Sequence, residues 1–173
     1  IRETVTVPVG VSTGAWILPG ARDRLRAIEE WEVLPDFASV NFNESGATDV
    51  ARLLADRGVG VEAGLWHEDA AAVLADSGLG DGCLRILIEP MEQTVDGALA
   101  SVGRIEQRLA GVAVDVPRLL HGYERTVWAM LDEAAGRGYD VRIGLEDTLE
   151  RPDGGRAEGN EELVRFAVGR ATR

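Results

Sequence analysis

Short runs in which every second residue is apolar recur along the chain, and stretches with apolar residues three or four positions apart separate them. The first spacing is the period of a strand and the second is that of a helix. The pattern predicts six strands, at 5–11, 37–42, 59–66, 83–89, 118–121 and 140–148. It predicts six helices, at 21–31, 47–57, 67–77, 94–109, 125–135 and 161–171.

This regular alternation of strand and helix is typical of a parallel sheet with right-handed crossovers. A doubly wound sheet usually carries a glycine-rich turn after its first strand. Ser12–Thr13–Gly14 is not such a turn, and the sequence contains no P-loop. A (β/α)₈ TIM barrel has eight units and about 250 residues. We predict six such units in a single domain over residues 1–173.

The two faces of the predicted strands differ in polarity, which distinguishes these architectures. Helices cover both faces of a doubly wound sheet, so its central strands are apolar on both. Here one face is polar in nearly every strand, and the polar residues gather near the strands' carboxyl ends, as in a barrel with an active site at its mouth. The residues predicted at the mouth are Ser12, Ser39, Asn41, Glu62, Glu89, His121, Arg142 and Glu146. We expect Arg85 and Glu89 to pair with each other across the interior.

The stretch 140–148 carries the most chemistry in the sequence. Its alternation predicts a strand with Arg142 and Glu146 on one face and Asp147 just beyond. Taken alone, it is equally compatible with an edge strand whose polar face meets water. In a barrel mouth, Glu146 offers oxygens suited to a divalent cation and Arg142 offers a fork for a carboxylate. Asp147 would be a base whose pKa the arginine controls.

Composition narrows the function classes. With 18 basic and 30 acidic residues the net charge is −12, which argues against nucleic acid and anionic membrane surfaces as partners. Cys83 is the only cysteine, which rules out an intramolecular disulfide and a cysteine zinc site, and we expect it in the core. The sequence shows no membrane span and no signal peptide, so we expect a cytoplasmic protein. Of the two histidines, we expect His67 to cap a helix or to lie on the surface, and His121 is more often structural than a ligand in such a position.

Four stretches resemble the β-keto acid cleavage enzymes, a family that includes 3-keto-5-aminohexanoate cleavage enzyme. They are Val11–Ser12–Thr13–Gly14, the run 35–42, Gly60–Val61–Glu62, and Arg142–Ile143–Gly144–Leu145–Glu146–Asp147. The last is the most specific.

The resemblance implies a (β/α)₈ barrel that binds one divalent metal, usually Zn²⁺. Such enzymes exchange acyl groups between a β-keto acid and acetyl-CoA, giving acetoacetate and a new acyl-CoA. The resemblance also implies that Arg142 and Asp147 generate the carbanion, that Glu62 is a further active-site acid, and that Glu146 is a metal ligand. Substrate-binding residues implied in the same way are Ser12, Thr13, Ser39 and Asn41.

The family's other metal ligands come from a His-x-His motif that this sequence lacks. We therefore expect the chain to correspond to strands three to eight of the family barrel, without the first two units. An open barrel exposes strand edges, so we expect a homo-oligomer. Two alternatives are a truncated, non-catalytic binding or assembly module, and a different metal-dependent carbonyl lyase that uses His121, Glu146 and Glu62.

Overall fold

Six parallel strands form one sheet in the computed structural model, which describes residues 4–110 and 115–171. The strands are β1 (Gly10–Ser12), β2 (Phe37–Asn41), β3 (Gly60–Leu65), β4 (Arg85–Ile88), β5 (Arg118–Leu120) and β6 (Asp140–Val141). The helices are α1 (Ala21–Glu29), α2 (Ala47–Asp56), α3 (Glu68–Ser77), α4 (Val95–Leu109), α5 (Val127–Arg137) and α6 (Asn160–Ala171). Short 3₁₀ turns lie at Gly80–Gly82 and Glu124–Thr126.

The spatial order of the strands is their order in the sequence, from β1 to β6. A doubly wound sheet reverses direction at a switch point, whereas a barrel adds each strand on the same side of the last one. Right-handed crossovers that all step in one direction place their helices on one face. The sheet is therefore a half-barrel of six strands with six helices, which confirms an α/β fold compatible with an incomplete barrel.

The core lies between the sheet and its helices. Strand residues that face the helices, such as Val40, Ala63 and Ile86, are at most 2% exposed and belong to one apolar cluster. Helix residues at helical spacing, among them Val102, Ile105 and Leu109 of α4, complete it. Cys83 is buried in this cluster, as expected.

Two side chains cap the helices that follow them, and one of these caps, His67, was predicted. The side chain of His67 accepts a hydrogen bond from the backbone N–H of Ala70 at 3.4 Å and so caps α3. Thr94 does the same for α4 through Gly97. Capping satisfies backbone N–H groups that the first helical turn leaves unpaired. The expectation for His67 is confirmed.

The predicted first strand is too long. Val5 and Val7 alternate as a strand would, yet they are 39% and 66% exposed, and only Gly10–Ser12 pairs with β2. Before that point the chain is held by Asp36, whose side chain accepts from the Val9 N–H at 2.7 Å. Alternating valines had no partner strand to pack against, so the pattern alone was insufficient.

The predicted sixth strand also ends early, after Val141. The carbonyl of Gly144 accepts hydrogen bonds from the N–H groups of Asp147 and Thr148, which curls the chain into a turn. Asn160 holds the turn from outside, accepting from the Leu145 N–H at 2.8 Å. Arg142, Glu146 and Asp147 therefore lie on a compact turn after the strand instead of along one strand face.

None of the helices within the described ranges combines the length and apolarity that a bilayer span requires.

We expect Leu65→Ala to lower the free energy of unfolding by about 2–5 kcal/mol, because Leu65 is fully buried on the central strand β3 and its loss leaves a cavity. Urea unfolding measures this change. The matched control is Leu84→Ala, since Leu84 is 47% exposed and its truncation should change stability by no more than about 0.5 kcal/mol. Equal losses in both variants would contradict the assignment of the core to the helix-covered face.

Candidate active site

The sheet face opposite the helices carries polar side chains in register. Strand pairing aligns Ser12 with Ser39, Ser39 with Glu62, and Glu62 with Arg85, so one row crosses four strands. Ser39 donates to one carboxylate oxygen of Glu62, and Arg85 donates to the other. Glu62 is 4% exposed, and a buried carboxylate requires such partners. The expected pair of Arg85 and Glu89 is wrong, because register places Arg85 beside Glu62.

A cavity of about 370 Å³ lies beyond this row, at the carboxyl ends of the strands. Its walls are Ser12, Trp16, Ser39, Asn41, Trp66, Leu87, Glu89, Met91, Tyr123, Arg142, Glu146 and Asp147. Seven of the residues predicted at the mouth or in the site thus line one cavity: Ser12, Ser39, Asn41, Glu89, Arg142, Glu146 and Asp147. In TIM barrels the active site occupies this end.

Glu62 and Thr13 are outside the set of lining residues. Glu62 reaches the cavity through its hydrogen bond to Ser39, which does line it. The hydroxyl of Thr13 donates to the carbonyl of Ser39 at 2.8 Å and fastens the chain after β1 to β2. In this arrangement Thr13 holds the position of Ser39.

Asn41 occupies the cavity because glycine faces it. Asn41 is paired with Gly64 in the register, and a Cβ at position 64 would clash with the side-chain oxygen of Asn41. The amide of Asn41 donates to Glu44 at 3.1 Å, which fixes its orientation. A glycine on the polar face of β3 therefore makes room for a polar side chain from β2.

Arg142 and Asp147 form the central pair of the cavity. Nη2 of Arg142 donates to Oδ1 of Asp147 at 2.8 Å and also contacts a carboxylate oxygen of Glu146. Asp147 is 2% exposed, and no residue in the described part of the chain forms a hydrogen bond with its Oδ2. Burial raises the pKa of Asp147, and the Arg142 charge partly offsets this. For Arg142, burial works against the charged form, but Asp147, Glu146 and Glu89 raise its pKa.

Glu146 lies on the outer side of this pair. Its side chain is 72% exposed, yet it contributes to the cavity wall and contacts Arg142. A divalent metal in proteins is usually held by three or more ligands. Among the residues that the structure describes, no group of three histidine, cysteine, aspartate or glutamate side chains is placed to hold one. The described residues therefore do not fit a metal centre by themselves.

His121 and Glu89 stand behind Asp147. His121 is 1% exposed, with Nδ1 3.1 Å from the carbonyl oxygen of Gly122 and 3.6 Å from Oδ1 of Asp147. Its Nε2 lies 3.3 Å from Oε1 of Glu89, and Trp66 donates to Oε2 of Glu89 at 3.1 Å. Burial raises the pKa of Glu89 to about 7 and lowers the pKa of His121 to about 3. His121 therefore contacts Glu89, and within the described ranges no ion pair joins His121 to Glu146.

A second groove, of about 420 Å³, shares Tyr123, Glu146 and Asp147 with the cavity. Glu124 lies in its wall with φ of 49°, a left-handed backbone that non-glycine residues seldom adopt. This conformation directs the Glu124 N–H to the carbonyl of Asp147 at 2.8 Å. The loop after β5 therefore holds the backbone of Asp147.

Sequence reasoning missed Trp16, Met91 and Tyr123 as lining residues. Met91 and Tyr123 each lie two positions after a predicted mouth residue, Glu89 and His121 respectively. Residues that follow the carboxyl end of a barrel strand belong to the active-site loops, and that position was the available signal. Trp16 had no comparable signal.

We expect Glu89→Gln to change how stability depends on pH. The pKa of Glu89 is about 7 in the folded protein against 4.5 as the reference value, so between these pH values the folded state keeps a proton that the unfolded chain has lost. This contribution is present at low pH and is lost as pH rises through 7. The unfolding free energy of Glu89→Gln minus that of the wild type should therefore increase by about 3 kcal/mol from about pH 4.5 to about pH 8.

Urea unfolding at several pH values measures this difference. His121, with its lowered pKa, is present in both proteins and contributes to both curves. Parallel curves for the two proteins would contradict the raised pKa.

Comparison with known proteins agrees with this geometry. The family model for the beta-keto acid cleavage enzymes matches residues 1–173. A search of curated proteins gives no match. Because the family model covers the chain from its first residue to its last, the chain belongs to the β-keto acid cleavage enzyme family.

Proposed function

We propose that this protein exchanges acyl groups between a β-keto acid and acetyl-CoA, releasing acetoacetate and an acyl-CoA. Family membership supports β-keto acid cleavage in general. The observation that carries the finer proposal is the cavity-lining residue Asp147, whose Oδ1 is fixed by Arg142 while its buried Oδ2 has no hydrogen-bond partner among the described residues. A carboxylate with one oxygen fixed and one available is arranged as a general base.

In this proposal, Oδ2 of Asp147 removes a proton from the carbon between the keto group and the carboxylate of the substrate. The resulting carbanion forms a bond with the thioester carbon of acetyl-CoA, and the CoA thiolate leaves. The thiolate then attacks the original keto carbon, and the carbon–carbon bond to the acyl group breaks. Acetoacetate takes back the proton from Asp147, so the base is regenerated.

Arg142 has two parts in this scheme. Its contact with Oδ1 orients Asp147, and its charge stabilises the carboxylate form of the base. The hydroxyl groups of Ser12 and Ser39 and the amide of Asn41 line the same cavity and would bind the substrate's oxygens. Glu62 would act on the substrate indirectly, because its carboxylate accepts the hydrogen bond that orients the Ser39 hydroxyl.

Acetyl-CoA would enter along the second groove. That groove meets the cavity at Asp147, where the acetyl group has to arrive. Its walls include the apolar side chains of Leu145 and Leu149, which suit an extended, weakly polar arm. Arg125 is the basic side chain among the groove's lining residues, which also include the carboxylates of Glu124 and Glu150, and it would contact the phosphates of the co-substrate.

A divalent metal, Zn²⁺ by resemblance, is the remaining part of the proposal. Glu146 would supply one ligand from the cavity wall. When bound, such an ion supplies Lewis-acid polarisation of a carbonyl group. Since the described residues do not form a full ligand set, the steps above are carried by Asp147 and Arg142.

A homo-oligomer is part of the same proposal. Within the described ranges β1 and β6 each pair with one neighbour only, and Trp16 and Ile17 near β1 are 64% and 61% exposed. Such edges and apolar side chains favour association with further strands.

We expect Asp147→Asn to lower kcat by about 10²-fold or more, because an amide cannot accept the substrate's proton. Exchange of the substrate's C2 protons in D₂O, without acetyl-CoA, isolates this step and should fall equally. The matched control is Asp153→Asn, since Asp153 also contacts an arginine, Arg151, but lies on an exposed loop. Unchanged exchange in Asp147→Asn would refute Asp147 as the base.

We expect the 173-residue chain to retain less than one equivalent of Zn²⁺ after desalting, because its described residues offer Glu146 without companion ligands. Metal analysis of the purified chain measures this, with Glu146→Ala as the comparison. Stoichiometric zinc that survives in the wild type and is lost in Glu146→Ala would contradict the expectation and favour the alternative site with His121.

A further inference from the structure

Glu89 and His121 form a buried polar pair that the proposed reaction does not use. Glu89 lines the cavity at the end of β4, and His121 follows β5, the neighbouring strand. The ring of His121 lies between the two carboxyl groups, 3.3 Å from Oε1 of Glu89 and 3.6 Å from Oδ1 of Asp147. Any change in this pair therefore acts directly on the surroundings of Asp147.

The surroundings of the ring determine which nitrogen carries the proton. The carbonyl oxygen of Gly122 lies 3.1 Å from Nδ1 and can only accept a hydrogen bond. Nδ1 therefore carries a proton. Burial lowers the pKa of His121 to about 3, which favours the neutral ring, so Nε2 presents a lone pair. Nε2 lies 3.3 Å from Oε1 of Glu89 and has no hydrogen-bond partner among the described residues.

A lone pair facing a carboxylate oxygen is repulsive, whereas a lone pair facing a carboxylic acid accepts its proton. With a proton on Oε1, the 3.3 Å separation needs to close by about 0.5 Å to reach an ordinary hydrogen bond. The other oxygen of Glu89 accepts from Trp66 in either state. The burial that raises the pKa of Glu89 to about 7 favours the same protonated form.

Charges around the cavity act on Glu89 in both directions: Arg142 favours its carboxylate form, whereas Asp147 and Glu146 favour its neutral form. Nη2 of Arg142 donates to both Asp147 and Glu146. A third negative charge beside Asp147 would disfavour the carboxylate form that a base requires. With Glu89 neutral, one fewer carboxylate competes with Asp147 for the positive charge of Arg142.

We propose that Glu89 is a neutral carboxylic acid that donates a hydrogen bond to Nε2 of His121, and that this pair positions Asp147 as the base. Glu89 and His121 are positioning residues in this assignment, because they act through Asp147. The effect on turnover rests on the proposed function, whereas the protonation of the pair does not.

The decisive comparison is between Glu89→Gln and Glu89→Leu. Glutamine keeps the shape of Glu89 and a donor for Nε2, so kcat for acyl exchange should stay within about threefold of the wild type; leucine removes the donor, and kcat should fall about tenfold or more with KM within about threefold. If Glu89→Gln is as impaired as Glu89→Leu, the carboxylate charge is needed and the proposal is wrong. Full activity in Glu89→Leu overturns it as well.

A spectroscopic measurement tests the pair independently of turnover. The chain has two histidines, so ¹⁵N signals of the imidazole rings can be assigned with a His67→Asn variant, which keeps a helix-capping side chain. Near pH 6, below the pKa of Glu89, wild type and Glu89→Gln should both show His121 as the neutral tautomer with the proton on Nδ1. A proton on Nε2, or a doubly protonated ring, overturns the proposal.

These readouts separate the two proposals. A wild type without acyl exchange would count against the proposed function, and the ring signals of wild type and Glu89→Gln would still decide whether the pair exists. A Glu89→Leu variant that fails to fold is recognised by its unfolding curve, and the tautomer in Glu89→Gln then decides.

Discussion

A parallel sheet whose helices all lie on one face must fill its other face with side chains from the strands themselves. That constraint determines most of what is seen in this protein. The sequential strand order requires it, and the apolar cluster lies on the helix side, with Val40, Ala63 and Ile86. The opposite face is left for polar groups, which are stable there only where each finds a partner. The row from Ser39 through Glu62 to Arg85 meets that condition with hydrogen bonds between neighbouring strands.

The same face changes character along the strands. In the row of Glu62 each carboxylate oxygen has a partner, so that row is a structural support. Near the carboxyl ends the pairing is incomplete: among the described residues, Oδ2 of Asp147 and Nε2 of His121 are buried without a hydrogen bond. Unsatisfied polar atoms reduce stability, and two of them on neighbouring residues beside the cavity are typical of a site that meets a substrate. Ser12 and Ser39 belong to the supporting row and also line the cavity, so one sheet face serves both stability and binding.

Much of the fold follows from hydrophobic periodicity in the sequence. The central strands β2 to β4 were predicted within one or two residues because buried parallel strands have a strong apolar pattern and helices on the covered face. The outer strands were predicted too long, since Val5 and Val7, or Ile143 and Leu145, alternate without a neighbouring strand that would complete the ladder. Periodicity reports which residues suit a strand, and the presence of a partner is a property of the tertiary structure.

The polar residues of the site were predictable as a group and less so as pairs. Polarity near strand ends pointed to Ser12, Ser39, Asn41 and Arg142, and all of them line the cavity. Pairing depends on register, which places Arg85 opposite Glu62 and so leaves Glu89 to His121 and Trp66. Register cannot be read from a single strand, so the expected pair of Arg85 and Glu89 was wrong. The roles of all the predicted site residues, and of the metal, remain predictions.

Two loops together fix the position of Asp147, because Glu124, with its left-handed backbone, donates a hydrogen bond to the Asp147 carbonyl. The Asp147 side chain is oriented by Arg142 on its own loop, while its main-chain carbonyl is tied to the loop after β5. Tyr123 precedes Glu124 and lines both the cavity and the groove. A molecule that presses on Tyr123 would therefore shift the backbone to which the carboxylate is attached. The groove and the cavity thus share the hydrogen bond that fixes the main chain of Asp147.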